Sequence, residues 1–252
     1  MLAWRILQQE RGDSDGIHPY IGIPQSYFIG TEVIYEFRLM NGLDHFMNQK
    51  YYYPQKMGRL ILQGMDEVIS ANGVASVLRL GSLDGFIGNY PPAGSERNFS
   101  FETVSELQTL LEKNYGPRGG RGVALRVGRA CFKSGLKEYG SMLGLTEMAF
   151  RLLSLPTKLH TGANAFAGLF NSHTDQKVRV EEKDNKIFWH IERCPLCWGR
   201  TTDEPVCHLA VGLLQESLYW LSGGKVFDVK ETTCIAQGDS TCTIMIDPTP
   251  FS

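Results

Sequence analysis

Hydrophobic residues recur at helical spacing in the first two thirds of the chain. One run consists of Leu60, Ile61, Met65, Val68 and Ile69, and a second of Val104, Leu107, Leu110 and Leu111. The first run predicts a helix that ends near Asn72-Gly73. The second predicts a helix from Phe101 to Asn114 with Ser100 as its N-cap. A third helix is predicted from Gly122 to Leu143, and one or two more from Leu145 to Phe170 with a break at Pro156.

The pattern changes to strict alternation of polar and apolar residues near residue 173. Two alternating segments around the Asp184-Asn185 turn predict a β-hairpin. A helix from Cys207 to Leu221 is predicted next, and the strands Val226 to Thr232 and Thr241 to Ile246 follow it. Helices first and an antiparallel sheet later predict an α+β fold, in which N-terminal helices pack on a C-terminal antiparallel sheet.

Three regions follow from these patterns. Residues 1–39 contain several glycines, acidic residues and a proline in quick succession, and we expect a poorly ordered extension without functional weight. Residues 40–172 form the predicted helical region, which we expect to supply a pocket and a dimerisation surface. Residues 173–252 form the predicted strand-rich domain with a helix and a hairpin that bind a metal.

Composition narrows the function classes. The 252 residues carry a net charge of −2, which gives no general attraction to nucleic acid or anionic membranes. No apolar run reaches the roughly 20 residues that span a bilayer, and the first residues do not resemble a signal peptide. Because the six cysteines cluster rather than spread as in a secreted disulfide scaffold, we expect a cytoplasmic protein.

Four residues near the C-terminus have the chemistry and spacing of a metal site: Cys207, Glu231, Cys234 and Cys242. Two residues separate Glu231 from Cys234, and the Gly238-Asp239 pair predicts a turn that returns the chain to Cys242. Thiolate and carboxylate ligands suit zinc in a closed tetrahedral site, which leaves no open position for hydrolysis. Two alternatives are buried free cysteines and a disulfide between Cys234 and Cys242.

A second pair of cysteines, Cys194 and Cys197, occurs in a Cys-Pro-Leu-Cys sequence. Such a pair is half of a zinc knuckle or a redox pair. It could take Cys207 and His208 as further ligands, so the sequence leaves open whether the pair shares the metal site, competes for it or forms another. The sixth cysteine, Cys131, is expected in the hydrophobic core.

The motifs together resemble the 4-vinyl reductase (4VR) domain family over residues 178–247. The resemblance is carried by Glu204-Pro205-Val206-Cys207, Glu231-Thr232-Thr233-Cys234 and Gly238-Asp239-Ser240-Thr241-Cys242. It implies a fold shared with a vesicle-tethering subunit, zinc bound by the matching Cys, Glu, Cys and Cys, and a neighbouring apolar pocket that binds an aromatic effector in the sensor members. One family member is encoded with bacteriochlorophyll synthesis genes.

Aromatic residues crowd the second half of the chain, and we expect Trp189, Phe166, Phe170 and His190 to bind a ligand, with ordinary core packing as the alternative. No dinucleotide fingerprint, flavin motif or nucleophile elbow is present, which disfavours an enzyme.

The sequence therefore predicts a zinc-stabilised module that binds a hydrophobic or aromatic small molecule as a sensor or carrier, with tetrapyrrole metabolism as a candidate context. We expect a homodimer with a signalling or biosynthetic protein partner. The alternatives are an enzyme or enzyme subunit in tetrapyrrole vinyl reduction, and an assembly factor without a ligand.

Overall fold

The computed structural model describes residues 50–143, residue 150 and residues 152–251. The predicted N-terminal extension, residues 1–39, lies outside the described residues, as does the start of the helical region. The boundary at residues 172 and 173 remains a prediction.

The described part of the chain contains four long helices. They are α1 (Gln55–Arg79), α2 (Phe101–Tyr139), α3 (Leu155–His173) and α4 (His208–Ser222). A short antiparallel pair of strands, β1 (Tyr52–Pro54) and β2 (Arg97–Ser100), joins the starts of α1 and α2. As predicted, the Ser100 hydroxyl caps α2 by accepting a hydrogen bond from the Thr103 amide at 3.1 Å.

Two helices are bent at single residues with positive φ. In α1, the backbone leaves helical geometry at Ser70 with φ 64°, and the helix then continues to Arg79. The predicted end near Asn72-Gly73 is therefore wrong, because the sequence signal marked a bend rather than an end. In α2 the break lies at Gly116 with φ 73°, directly before Pro117, so the helix consists of two segments as the sequence indicated.

The C-terminal part contains a four-stranded antiparallel sheet. Its strands are β3 (Lys177–Lys183), β4 (Lys186–Arg193), β5 (Phe227–Thr233) and β6 (Cys242–Pro250), in the spatial order β3-β4-β6-β5. Asp184 and Asn185 form the β3–β4 turn with φ values of 52° and 57°, which is the backbone geometry of a tight hairpin. The α+β prediction is confirmed, with helices and a C-terminal antiparallel sheet in one fold.

Alternation along β4 separates a buried face from a more exposed one. Ile187, Trp189 and Ile191 are buried, whereas Phe188 and His190 are only partly buried on the opposite face. In the register of the sheet, Trp189 lies opposite Val180 of β3 and Ile244 of β6. The hydrophobic core extends from this face to the helices.

Two glycines allow α2 and α4 to pack in direct backbone contact. A Cβ atom added to Gly128 would overlap the carbonyl oxygen of Leu209, and one added to Gly212 would overlap the carbonyl oxygen of Leu125. The sequence predicted such packing for Gly128. This contact fixes the start of α4, where Cys207 occupies the N-cap position.

Among the described helices, none combines the length and the apolar character that a membrane crossing requires.

Candidate functional site

Five of the six cysteines meet at one end of the sheet. Cys194 and Cys197 lie in the loop after β4, and Cys207 lies immediately before α4. Cys234 follows β5, and Cys242 begins β6. All five are buried, and the structure forms no disulfide between them. Separate segments of the chain therefore deliver thiols to one point.

The sulfur atoms lie at distances that suit a shared metal. The Sγ atom of Cys207 is 3.4 Å from that of Cys194 and 3.9 Å from that of Cys234. The Sγ atom of Cys242 is 3.3 Å from that of Cys197 and 3.9 Å from that of Cys234. A tetrahedral zinc site with Zn–S bonds of about 2.3 Å has sulfur atoms about 3.8 Å apart.

Two sets of four ligands could each hold a metal ion, with ligand atoms within 4.8 Å of one another. One set is the four residues predicted from spacing, Cys207, Glu231, Cys234 and Cys242. The other consists of Cys194, Cys197, Cys207 and Cys242. Cys207 and Cys242 belong to both sets, so Cys194 and Cys197 join the predicted site instead of forming a distant one.

Glu231 shows a second sign of a metal site. Its Oε2 atom accepts a hydrogen bond from the Cys207 amide at 2.7 Å, whereas its Oε1 atom is buried and has no hydrogen-bond partner. Burial, together with the neighbouring Cys234 thiolate, raises the pKa of this carboxyl to about 8. A cation would satisfy the orphaned oxygen and favour the charged form of the carboxyl.

Backbone amides also support the thiols. The Ile235 amide donates a hydrogen bond to the Cys242 sulfur at 3.2 Å, and the Asp239 carboxylate accepts one from the Cys234 amide at 2.8 Å. Gly238, with φ 96°, ends the single helical turn between β5 and β6 and returns the chain toward Cys242. The predicted turn at Gly238-Asp239 thus contributes directly to the site.

An apolar cavity of about 110 Å³ lies next to the cysteine cluster, among α1, α2, α3, α4 and β4. Phe166, Phe170 and Trp189 line it. His190 does not, because successive residues of a strand point to opposite faces. The His190 ring instead lies 3.0 Å from the Thr243 hydroxyl.

One polar pair interrupts the apolar wall. The Tyr53 hydroxyl donates a hydrogen bond to Oε1 of Gln176, and both residues line the cavity. Sequence analysis missed this pair, because the two residues are 123 positions apart and neither belongs to a recognisable motif. The only signal was a tyrosine directly before Pro54, which by itself indicates core packing.

The cavity and the cysteine cluster share part of their framework. Leu196 lies between Cys194 and Cys197 and lines the cavity. Leu209 and Ala210, which follow Cys207 closely, also line it. Any change in the backbone positions of these cysteines therefore moves the cavity wall.

With this geometry in place, residues 187–248 match the model of the 4-vinyl reductase (4VR) domain family. This segment is a 4VR domain. The resemblance predicted from the sequence motifs is thereby confirmed for these residues. The 4VR segment contains all five clustered cysteines and Glu231, whereas Tyr53, Phe166 and Phe170 lie outside it.

Solved structures with a similar fold include H-NOX proteins. The Fe(II) unliganded H-NOX protein from K. algicida is 12% identical with a TM-score of 0.51, and its A71G mutant is 13% identical with the same score; each alignment covers 79% of this chain and 97% of the other. The phenol-responsive sensory domain of the transcription activator PoxR with phenol aligns over 60% of this chain and 76% of its own, at 19% identity and a TM-score of 0.43. The fold conclusion follows from the H-NOX pair alone.

A search of curated proteins found no match to this chain.

Proposed function

We propose that this protein is a metal-stabilised module that binds a small hydrophobic or aromatic molecule as a sensor or carrier. The observation that carries the proposal is the apolar cavity whose wall includes Leu196 and Leu209, each close in sequence to clustered cysteines. Cavities of this kind, mostly apolar with a few polar groups, are the usual form of small-molecule sites.

Zinc is the metal that this centre suits best. Cys207, Glu231, Cys234 and Cys242 would hold it, and thiolates with one carboxylate are donors that zinc accepts in tetrahedral sites. The orphaned Glu231 oxygen and the short distances between sulfurs support this assignment. Bound zinc would tie the start of α4 to β5 and β6, so its binding energy would stabilise the fold.

The cavity volume favours a ligand with a single ring. An engineered apolar cavity of roughly 150 Å³ in another protein binds benzene, whereas drug-sized ligands occupy pockets of roughly 300–1,000 Å³. At about 110 Å³, the cavity here is close to the first of these sizes. A tetrapyrrole would require a large expansion, so this size argues against tetrapyrrole vinyl reduction.

Tyr53 and Gln176 would orient such a ligand. The Tyr53 oxygen can accept a hydrogen bond while its proton is donated to Gln176, and the Gln176 amide nitrogen is a donor that this bond does not use. Phe166, Phe170 and Trp189 would contact the ring. A ligand with one hydroxyl group, such as a phenol, meets both requirements.

The same residues are poorly suited to proton-transfer chemistry. Burial raises the pKa of the Cys131 thiol to about 12, and burial also raises the pKa of Tyr53 well above its usual value. Both groups stay protonated at neutral pH, so neither supplies a nucleophile or a general base. This favours binding over catalysis.

A cavity-filling variant tests the proposal. Gly135 lines the cavity, and a Cβ atom added there would meet no atom within 4 Å, so Gly135→Leu would place a side chain in free space. We expect this variant to bind phenol at least about tenfold more weakly by isothermal titration calorimetry, a loss of about 1.4 kcal/mol.

The matched control is Gly122→Leu. Gly122 lies in the same helix, also has free space around its Cβ position and does not line the cavity. We expect it to keep the affinity of the unmodified protein. Equal phenol affinity in both variants, or no binding of phenol or toluene to the unmodified protein, would refute a ligand site in this cavity. Homodimer formation remains a prediction, testable by sedimentation on the same samples.

A further inference from the structure

The cysteine cluster offers more ligands than one zinc ion can use. Five thiols and the Glu231 carboxylate give six donors, whereas a structural zinc ion takes four. If the four spacing-predicted residues bind one ion, Cys194 and Cys197 stay unused. Yet these two thiols are 1% and 2% exposed, and they lie 3.4 and 3.3 Å from sulfurs of the same site.

We propose that the cluster binds two thiophilic divalent metal ions, zinc in the first instance, which share the thiolates of Cys207 and Cys242. This inference rests on the metal centre of the proposed function and extends it. One ion would have Cys194 and Cys197 as its other ligands, and the second would have Glu231 and Cys234. Six donors and two shared thiolates then give four ligands to each ion.

The grouping of the side chains matches this arrangement. Cys194 and Cys197 occur in one four-ligand set, Glu231 and Cys234 in the other, and only Cys207 and Cys242 occur in both. Two tetrahedra that share an edge have this composition. Zinc modules with six cysteine ligands are a known protein solution for two metal ions.

The distances satisfy the same test on both sides. The sulfur contacts of Cys194 and Cys197 with the shared cysteines are 3.4 and 3.3 Å, and both contacts of Cys234 with them are 3.9 Å. These values bracket the edge of about 3.8 Å expected for a tetrahedral zinc–sulfur site. Neither half of the cluster requires a large movement of the backbone.

The loop that carries Cys194 and Cys197 is held in place from outside the cluster. The Trp198 indole donates a hydrogen bond to Glu102 at 3.1 Å, and the Arg200 guanidinium bonds to Glu112 at 2.6 Å. Both acceptors lie in α2. A loop anchored in this way presents its two thiols at fixed positions, which lowers the entropic cost of binding a second ion.

Metal content of the full chain tests the proposal. For protein produced with zinc in the medium, we expect two zinc ions per chain by native mass spectrometry and by elemental analysis. The double variant Cys194→Ser/Cys197→Ser should keep one ion, and so should Glu231→Gln/Cys234→Ser. The matched control is Cys131→Ser, which replaces the one cysteine outside the cluster and should keep two ions.

Cadmium-113 NMR distinguishes shared from separate sites. Two resonances split by mutual scalar coupling are expected, because the coupling requires a bridging thiolate. Two uncoupled resonances, or one ion per chain in the unmodified protein, would overturn the proposal even if a variant failed to fold.

One ion combined with phenol binding would overturn the shared site alone and leave the proposed function intact. No metal at all would overturn both. A mass about 2 Da lower per oxidised pair would identify a disulfide as the role of the extra cysteines, and this too would overturn the proposal.

Discussion

The Tyr53–Gln176 pair is the single-residue feature on which ligand selectivity depends. Replacing Tyr53 by Phe removes the buried hydroxyl and leaves the ring in place. A net hydrogen bond contributes about 0.5–1.5 kcal/mol, so we expect phenol to bind roughly 2- to 12-fold more weakly. The measurement is a pair of calorimetric titrations with phenol and with toluene, its methyl analogue.

Toluene provides the internal control, because it occupies a similar volume and makes no hydrogen bond. Its affinity should change little in Tyr53→Phe. A parallel loss for both ligands would mean that the substitution disturbed the cavity, and an unchanged phenol affinity would exclude Tyr53 as the anchor.

How far the sequence predicts the site depends on the separation of its residues. Cys207, Glu231, Cys234 and Cys242 were recognisable from local spacing and ligand type. The position of Cys194 and Cys197 beside them was left open, because it depends on where the loop after β4 lies. Tyr53 and Gln176 had no signal, since their contact is made by the tertiary fold across 123 positions.

At the scale of elements, the contact between α2 and α4 positions Cys207. Replacing Gly128 by Ala would place a methyl group against the Leu209 backbone, which cannot rotate away as a flexible side chain could. Because such overpacking costs about 1–3 kcal/mol, we expect the midpoint of thermal unfolding to fall by roughly 2–12 °C. Circular dichroism on zinc-loaded protein measures this shift.

Gly122→Ala is the control for helix propensity. It lies in the same helix with open space around its Cβ position, so alanine should stabilise the protein by up to about 1 kcal/mol. If Gly128→Ala were as stable as Gly122→Ala, the close helix contact would be wrong.

Periodicity identified the elements better than their ends. The hairpin, α4 and the last two strands appear where alternation and helical spacing placed them. The end of α1 was missed, because Ser70 adopts a positive φ that its residue type does not signal, and packing against α2 then carries the helix on to Arg79. Local chemistry cannot report a bend that tertiary contacts impose.

At the scale of the whole molecule, the metal centre and the ligand cavity share a framework. Leu196, Leu209 and Ala210 line the cavity and lie close to the metal-binding cysteines in sequence. Loss of the metal would leave buried thiols and the Glu231 carboxylate without their common partner. Because the loop and the start of α4 would then move, the cavity wall would loosen and the ligand would lose contacts.

The most direct test of this account is the affinity of the full-length protein for phenol before and after metal removal. We predict measurable binding by calorimetry with zinc bound, at least about a tenfold loss after chelation, and recovery when zinc is returned. Equal phenol affinity in the zinc-loaded protein and in protein verified to be metal-free would contradict a metal-stabilised binding module.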